Sequence, residues 1–403
     1  MRVHRRALAL GVLALIVGAG IAAGVVAIAT GRSGHEPAVF ARTATLTASR
    51  GTVGNGLSLD GAALVAAKAS GKQTLGTLGG GDEVIAPLTG ALVPVAAQSP
   101  DDDFVVYSSW KQLARINPDA RGQGLSVGQP VGLPSIRLFD LRTGKDHLLT
   151  NGAASPAVST TGAIAYLAGD GQVVRQNVEY AGRIVVADSR DTKPHVWTSK
   201  AARYFPYAWA GRELLVYRGV SDSEGADLYA YTGPDEAHLL APDAFAIAVS
   251  PDGTKVLAAV GFRTLEVIRV EDAAVEDTLS LDPTQGPPTP PPALMYGGSW
   301  RGDRIVAKSD RGLVVLNVNG GLHIESIFTT PDFAHGINEP VLVGETRVQG
   351  WADVGPAHPT QGGAGEPAYD NALVDCDLAL GSCSADDPNP ARRWARWITN
   401  PSR

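Results

Sequence analysis

One stretch of the sequence matches a catalytic motif. Residues 124–128 read Gly-Leu-Ser-Val-Gly, the pattern that holds the nucleophilic serine of many serine hydrolases. That chemistry requires the serine on a sharp turn between a strand and a helix, beside backbone amides that stabilise an oxyanion. Residues 118–123 lack the pattern of a strand, and Pro130 interrupts any helix that would follow. We therefore expect Ser126 to lie in a glycine-rich loop and assign it no catalytic role.

The two cysteines of the chain are Cys376 and Cys383, with six residues between them. Two thiols at this spacing on facing strands can form a disulfide across a hairpin in an oxidising compartment. A zinc site would need about four ligands, and no histidine lies near this pair in the sequence. We predict a disulfide between Cys376 and Cys383 and no bound metal or other cofactor.

The other residues that could bind a metal are scattered along the chain. The eight histidines, among them His147, His195, His238 and His323, include no pair at the spacing that a helix or a hairpin needs for two metal ligands. The acidic run at 101–103 lacks the alternating ligands and the distant glutamate of a helical calcium loop. We interpret the histidines as surface or packing residues and the acidic run as a solvated turn.

The charge balance limits the classes of partner. Lysine and arginine number 34, aspartate and glutamate number 41, and the net charge is −7. Three of the basic residues, Arg2, Arg5 and Arg6, stand at the N-terminus, so the rest of the chain is more acidic still. Because a surface of this charge repels a phosphate backbone, nucleic acid is excluded as a partner.

An uncharged segment with the length of a membrane span follows these arginines. Residues 7–30 contain no charged side chain, and about 20 apolar residues cross the hydrocarbon core of a bilayer. We predict a transmembrane signal anchor at 1–30, with the arginines in the cytoplasm, and a linker at 31–50 on the outer side of the membrane. The alternative is secretion after cleavage of a signal peptide, since Ala27, Ile28 and Ala29 offer a small-x-small cleavage site.

Past the linker, the chain repeats a polar turn between two apolar segments. The clearest copy is Ser-Pro-Asp-Gly-Thr-Lys at 250–255, in which proline and the Asp252-Gly253 pair preset a reversal of the backbone. Markers at 103, 162, 211, 253, 302 and 344 are separated by 42 to 59 residues, and most intervals match one four-stranded blade of a β-propeller, about 40 to 50 residues. The weaker copies have glycine at the corresponding place: Gly162, Gly211, Gly302 and Gly344.

A further aliphatic segment recurs after each turn, as at 265–270 and 313–318. We therefore predict an all-β fold, with a β-propeller of six four-stranded blades at 51–384. Residues 57–65 imitate the turn of a seventh blade, whereas residues 66–90 are rich in glycine and lack a strong third strand. A propeller closes its ring so that no strand edge stays unpaired, and we expect 44–48 or 57–65 to supply the closing strand. On this alignment, the cysteine pair joins the third and fourth strands of the last blade.

Two long insertions interrupt the repeats, at 111–134 and at 282–292. The second contains six prolines, which cannot pair in a sheet, and we expect a stiff surface loop. Trp209 and Trp300 each stand two residues before a repeat glycine. Their placement favours aromatic packing between blades, and the alternative is a stacking platform for a sugar or peptide.

The last segment, 385–403, is predicted to be a tail after the final blade. It is cationic and aromatic, so it would dock on the propeller or touch the anionic membrane surface. The residues that give it this character are Arg392, Arg393, Trp394, Arg396 and Trp397.

The turn at 250–255 and the recurring aliphatic hairpins resemble the repeats of TolB-type, WD-repeat-like β-propellers of exported bacterial proteins. The resemblance covers roughly residues 91–384, and its one sharp motif is the turn itself. The chain has no room for the separate N-terminal domain of TolB, and it adds the apolar N-terminal segment and the cysteine pair. The resemblance therefore implies the propeller fold but not the specific function of TolB.

Two functions of different classes follow from this reading. The first is a non-enzymatic propeller on the outer side of the membrane that binds a protein, a peptide or a glycan. The second is a propeller-type lyase or glycosidase with its active site at the mouth of the channel. A convergent cluster of carboxylates or histidines from several blades would favour the enzyme, and an apolar or plugged channel would favour the binding platform.

Overall fold

A computed structural model describes residues 63–69, 72–78, 84–90, 96–101, 103–113, 130–131, 133–173, 180–219, 226–261, 263–281, 295–309, 312–328, 336–354, 370–385 and 392–397. Every regular element within these ranges is a β-strand. No helix that could cross a bilayer occurs in this part of the chain. The predicted anchor at 1–30, the linker at 31–50 and Ser126 lie outside the described residues.

The first sheet combines the two ends of the described chain. Strands β1 (Ala63–Ala69), β2 (Lys72–Leu78) and β3 (Val84–Pro87) form an antiparallel meander. The last strand, β30 (Arg392–Trp397), pairs antiparallel with β1, so the order across the sheet is β3-β2-β1-β30.

The second sheet contains the first long insertion. Its strands are β4 (Ala96–Gln98), β5 (Phe104–Ser109), β8 (Ser135–Asp140) and β9 (Lys145–Asn151), in the order β4-β5-β8-β9. The insertion between β5 and β8 begins and ends with a separate two-stranded ribbon, β6 (Gln112–Leu113) with β7 (Pro130–Val131).

The next two groups of four strands share one continuous sheet. The first group pairs along β10-β11-β12, with the short β13 on β12, and the second along β14-β15-β16-β17. They are joined because the start of β12 pairs with the start of β14, Gly182 opposite Ala202. On its other side Gly182 passes close to β11, since a Cβ there would lie 2.3 Å from the carbonyl oxygen of Ala168. The strands are β10 (Ala153–Val158), β11 (Ile164–Val173), β12 (Tyr180–Ala187), β13 (His195–Val196), β14 (Ala202–Ala210), β15 (Glu213–Gly219), β16 (Ala226–Gly233) and β17 (Glu236–Ala241).

Three further sheets of four antiparallel strands follow, each with its strands in chain order. Their regularity reflects the sequence, in which aliphatic second and third strands recur after each repeat turn. The strands are β18 (Ala244–Val249), β19 (Lys255–Val260), β20 (Thr264–Arg269), β21 (Val275–Ser280), β22 (Met295–Arg301), β23 (Arg304–Ser309), β24 (Gly312–Asn317), β25 (His323–Phe328), β26 (Ile337–Val343), β27 (Arg347–Val354), β28 (Asp370–Asp377) and β29 (Ser382–Ala385).

The core lies between neighbouring sheets. Leu215 and Leu228 of one sheet pack with Val256 and Ile268 of the next, all fully buried. Burial of a side chain of this size stabilises the fold by about 1.5 to 3 kcal/mol. The second and third strands are therefore aliphatic on both faces, as in β19 and β24, whereas the fourth strands, such as β21, are largely exposed.

The turns between first and second strands share one backbone feature. The five predicted repeat glycines all have φ in the left-handed region, between +56° and +83°, where residues with a Cβ are disfavoured. In three turns a serine hydroxyl accepts the backbone N–H at the start of the second strand. These serines are Ser99, bound by Phe104, Ser159, bound by Ala163, and Ser250, bound by Lys255.

The structure differs from the sequence expectation at both chain ends. Residues 392–397, expected in a tail, form β30, and residues 66–90, expected to lack a third strand, contain β2 and most of β1 and β3. The weak strand signal of these glycine-rich residues is compensated by ladder hydrogen bonds to β30 and by packing of β30 beside β28. The strand that completes the first sheet is therefore β30, from the C-terminal end, and it pairs with β1. Strand β1 begins within 57–65, one of the two segments expected to supply the closing strand. The other segment, 44–48, lies outside the described residues.

Candidate binding site at the inner strands

The first strands of successive sheets lie next to one another. Strand β10 packs beside β14, β18 beside β22, and β22 beside β26. Side chains of β10 and β18 are almost all buried, whereas those of the fourth strand β9 are mostly exposed. The first strands therefore surround the centre of the molecule, and we call them the inner strands. In the first sheet, whose edge strand next to β1 is β30, we count β30 as the inner strand by its place in the strand order.

Six of the inner strands contain one extra residue relative to the strand with which they pair. In β14, β22 and β26 the irregularity lies three or four residue pairs from the turn into the second strand. A β-bulge of this kind leaves a peptide group outside the ladder and redirects a side chain. The unpaired residues are Ser155 and Pro156 in β10, Tyr207 in β14, Ile247 in β18, Gly297 in β22, Glu339 and Pro340 in β26, and Arg393 in β30.

Tyr207 projects from its bulge towards the neighbouring inner strand. Its hydroxyl donates to the carbonyl oxygen of Ile247, the bulge residue of β18, over 3.4 Å. Its ring packs 5.4 Å from the ring of the buried Tyr217. Burial first, and the negative charge of Glu339 second, raise the pKa of Tyr207 to about 12. The bulge of β14 therefore places a buried phenol against the bulge of β18, the neighbouring inner strand.

Glu339 stands in an uncommon backbone conformation. Its φ is +49°, which costs free energy for a residue with a Cβ and often marks a functional position. The conformation is held on both sides: the side chain of Asn338 accepts a hydrogen bond from the Lys308 ammonium, and the N–H of Leu342 donates to the Ser299 hydroxyl over 2.6 Å. Neighbouring strands therefore fix the place of the carboxyl group.

Gly297 leaves open space in the bulge of β22. It is exposed, and no atom lies within 4 Å of the position that a Cβ would take. The next residue, Gly298, is the opposite case, since a Cβ there would collide with the carbonyl oxygen of Val306 at 1.9 Å. The bulge of β22 thus presents backbone and open space where the bulges of β14 and β26 present side chains.

The bulges of β14, β18 and β26 present a phenol, a backbone carbonyl group and a carboxyl group. One carboxyl group, one phenol and bulge carbonyls such as that of Ile247 can accept hydrogen bonds, and an aromatic face lies beside them. On inner strands whose side chains are described, the charged residues are Arg203, Arg301 and Glu339, so no pair of carboxylates is available there for acid–base catalysis.

Solved structures that resemble the chain can now be compared with it. No protein-family model matches the sequence, and no curated protein matches it significantly. The structure of the dihydro-heme d1 dehydrogenase NirN in complex with DHE aligns with 91% of this chain and 80% of its own, at a TM-score of 0.52 and 16% identity. The Cps50 (Swd1) β-propeller domain of Myceliophteria thermophila covers 73% and 86%, at 0.45 and 12%. TolB from Acinetobacter baumannii covers 65% and 63%, at 0.37 and 15%.

The fold is a β-propeller. Successive four-stranded antiparallel sheets with their first strands at the centre carry this conclusion, and the propeller fold that the resemblance to TolB-type, WD-repeat-like proteins implied is confirmed. At identities of 12 to 16% the likeness concerns the fold alone.

The cysteine pair lies in the last sheet of the propeller. Cys376 of β28 faces Cys383 of β29 in register, and the two form a disulfide with their Cα atoms 4.0 Å apart. The bond therefore joins the third and fourth strands at the base of the turn at 378–381. Leu380 at this turn has 76% of its surface exposed.

Asp252 and Gly253 organise the clearest repeat turn. The Asp252 carboxylate accepts hydrogen bonds from the Ser250 hydroxyl at 2.6 Å and from the N–H of Thr254 at 3.0 Å. The bond from Ser250 is the largest of the causes that lower the pKa of Asp252. Of the other repeat glycines, Gly211 packs against Gly253, while Gly162, Gly302 and Gly344 have open space around them.

The four histidines among the described residues lie in packing contacts or on outer strands. His238 in β17 donates from Nε2 to the carbonyl oxygen of Val270 over 2.6 Å, and His195 in β13 accepts the indole N–H of Trp197 over 2.8 Å. His147 and His323 lie on the fourth strands β9 and β25. Among the described residues, no three or more histidine, cysteine, aspartate or glutamate side chains are placed to hold a metal ion.

Trp209 packs between neighbouring groups of strands. Its indole N–H donates to the carbonyl oxygen of Ala157 in β10, and its ring meets the ring of Trp197 edge-on at 5.8 Å. Trp300 instead donates to the carbonyl oxygen of Gly302 in its own turn.

The sequence reasoning missed the bulges of the inner strands. A proline next to the irregularity is a readable signal, because proline within a strand marks an edge or a bulge, and Pro156, Pro206 and Pro340 stand at three of them. The reasoning also missed a second exact copy of Ser-Pro-Asp at 99–101, which matches 250–252.

Proposed function

We propose that this protein is an extracytoplasmic β-propeller, anchored through residues 7–30, that acts as a non-enzymatic binding platform for a protein or peptide. The observation that carries the proposal is the character of the inner strands. They are built mainly from small and apolar residues, six of them contain a bulge, and the Tyr207 hydroxyl in one bulge reaches the carbonyl oxygen of Ile247 in the next. The inner strands whose side chains are described contain a single carboxyl group, that of Glu339, so this lining suits recognition of a side chain better than catalysis by a pair of carboxylates.

The proposal includes a ring of seven blades. The sheet β3-β2-β1-β30 supports this number, because it supplies a further four-stranded unit beside the six repeats that the sequence marks. Its pairing of β1 with β30 would close the ring through ladder hydrogen bonds between residues more than 320 positions apart.

One end of the propeller is proposed as the binding face. The three longest connections of the described strands run from Ser109 to Ser135, from Ser280 to Met295 and from Val354 to Asp370. All three leave second or fourth strands and enter third or first strands, so they belong to the same end. Binding residues of rigid scaffolds commonly lie on such connections. The other end carries the short repeat turns.

Crosslinking from each end tests this proposal. A photoreactive residue replaces Arg263, an exposed residue in the short β19–β20 connection at the proposed binding face, and a matched one replaces Glu345, exposed in the β26–β27 turn at the opposite end. In intact cells, a partner that crosslinks at 263 and not at 345 is the expected result. Equal labelling at both positions, or none at 263, would contradict the proposed face. A protease added outside the cells must also cleave the propeller, since an intracellular location contradicts the anchor.

A further inference from the structure

The turn between β24 and β25 contains an asparagine followed by two glycines. Asn319 and Gly320 are exposed to solvent, and the glycines at 320 and 321 have φ of +77° and +109°. No atom lies within 4 Å of the position that a Cβ of Gly320 would take. The turn joins a third strand to a fourth, so it lies at the end of the propeller that carries the short repeat turns. The peptide bond after Asn319 is therefore exposed and uncrowded.

An asparagine followed by glycine carries the reactants for a cyclisation. The backbone nitrogen of the glycine attacks the side-chain carbonyl carbon of the asparagine. A new N–C bond forms, the C–N bond of the side-chain amide breaks, and ammonia leaves with the proton of the backbone N–H. Water then opens the succinimide ring at either carbonyl carbon and yields aspartate or isoaspartate, so the reaction consumes water and changes no oxidation state. Glycine favours it, because no Cβ crowds the approach of the backbone nitrogen.

The two reacting groups in the β24–β25 turn are unengaged. Within the residues that the structure describes, neither the Gly320 N–H nor the side-chain amide of Asn319 takes part in a hydrogen bond. The backbone N–H of Asn319 donates to Oδ1 of Asn317 over 2.8 Å, which fixes the preceding part of the turn and occupies neither reacting group. The attack of the Gly320 nitrogen on the Asn319 side chain therefore requires no hydrogen bond of these two groups to be broken first.

A second pair of the same type, Asn151 and Gly152, provides the contrast. Asn151 is also exposed, but both reacting groups of this pair are engaged. Oδ1 of Asn151 accepts a hydrogen bond from the hydroxyl of the buried Ser135 at 2.9 Å, and the Gly152 N–H donates to the carbonyl oxygen of Pro134 at 2.8 Å. Asn151 also ends β9 in register with Ser135. Cyclisation at Asn151 has to break both of these bonds.

We propose that Asn319 is a site of spontaneous deamidation and that the fold protects Asn151 from the same reaction. The third pair of this type in the sequence, Asn55 and Gly56, lies outside the described residues. Deamidation adds a negative charge to the β24–β25 turn, and the isoaspartate product also adds a carbon atom to its backbone. The turn lies at the end opposite the proposed binding face, and the inference goes beyond the proposed function and does not depend on it.

Peptide mapping after incubation tests the selectivity. The whole protein is kept at mildly alkaline pH, which promotes loss of the backbone proton, and the two asparagines are followed by mass spectrometry, since trypsin places them in different peptides. Asn319 should deamidate faster than Asn151 by about tenfold or more, because two hydrogen bonds protect Asn151. In the protein unfolded by denaturant the two rates should converge. Equal rates in the folded protein, or a difference that persists in the unfolded protein, overturn the proposal.

Two variants test the residues. Asn319→Gln keeps the amide but lengthens the side chain, which disfavours ring closure, and it should abolish the new carboxyl group at position 319. Ser135→Ala removes the hydroxyl that binds Oδ1 of Asn151 and should raise the rate at Asn151 severalfold, with the rate at Asn319 as the internal control. Unaltered melting temperatures establish that each variant is folded. A rate at Asn151 that Ser135→Ala leaves unchanged contradicts the protection by this hydrogen bond.

Discussion

The backbone of Gly253 lies directly against the backbone of Gly211 in the neighbouring repeat turn. A Cβ at position 253 would lie 2.2 Å from the amide nitrogen of Gly211, and the two residues have φ of +70° and +57°. Two repeat turns of adjacent sheets therefore touch through glycines, and the repeated glycine is needed here for contact as well as for conformation.

Replacement of Gly253 by alanine should destabilise the propeller strongly. The left-handed backbone costs a residue with a Cβ about 1 to 2 kcal/mol, and the collision with Gly211 adds about 1 to 3 kcal/mol. We expect a loss of about 3 kcal/mol in the free energy of unfolding, measured by denaturant titration. Gly302→Ala is the matched control, because its φ is +56° and nothing lies near its Cβ position, and it should lose only about 1 to 2 kcal/mol. Equal losses in the two variants would refute the turn contact.

Reduction of the Cys376–Cys383 disulfide should lower the melting temperature. The bond closes a short loop with a sequence separation of 7, for which the chain-entropy model gives a stabilisation of about 2.5 kcal/mol. Thermal melts with and without a thiol reductant measure the effect. The double variant Cys376→Ser, Cys383→Ser should melt at the lower temperature under both conditions. A melting temperature of the double variant that still falls with reductant would show that the reductant acts elsewhere.

The Asp146 carboxylate should stabilise the contact between the first two sheets. Its carboxylate accepts hydrogen bonds from the fully buried Tyr107 at 2.8 Å, from Arg137 Nε at 3.0 Å and from the hydroxyl of Thr89, which follows β3. Asp146→Ala leaves these donors unpaired, and we expect a loss of about 2 to 3 kcal/mol in the free energy of unfolding.

Asp191→Ala provides the control for the Asp146→Ala variant. The Asp191 carboxylate pairs with Arg190 at 3.6 Å, but 87% of its side-chain surface is exposed, and such pairs contribute about 0 to 1 kcal/mol. Denaturant titration of both variants measures the contrast. The prediction is wrong if Asp146→Ala is no more destabilised than Asp191→Ala.

The stability that Asp252 contributes should depend on pH. Hydrogen bonds to its carboxylate, chiefly from the Ser250 hydroxyl, hold its pKa below the ordinary value of 3.8 in the folded protein. A depressed carboxyl pKa stabilises the folded state above the unfolded pKa, and that stabilisation is lost as the pH falls through the folded pKa. Asp252→Asn should therefore be less stable than the wild type at pH 7, and the difference should shrink below about pH 4. Melting curves from pH 7 to pH 2.5 measure it; a difference that stays constant with pH contradicts the charge-dependent bond.

Local signals in the sequence were sufficient for the repeating part of the fold. Proline, aspartate and glycine at 250–253 specify their turn through their own backbone preferences, and the aliphatic runs at 256–260 and 265–270 specify strands buried on both faces. The cysteine spacing was sufficient for a hairpin disulfide once the flanking residues were assigned to facing strands. These features depend on interactions within a few residues, which the order of amino acids expresses directly.

The tertiary structure alone decided the closing strand and the composition of the centre. Residues 392–397 carry the charges of a tail, and only the edge of β1, more than 320 residues earlier, makes them a strand. The hydroxyl of Tyr207 likewise reaches the carbonyl oxygen of Ile247 because neighbouring sheets place their first strands side by side. Strand pairing and the packing of neighbouring sheets bring together residues that are far apart in the sequence. The sequence therefore determined the repeated turns and strands, and the packing of the sheets determined which residues face one another.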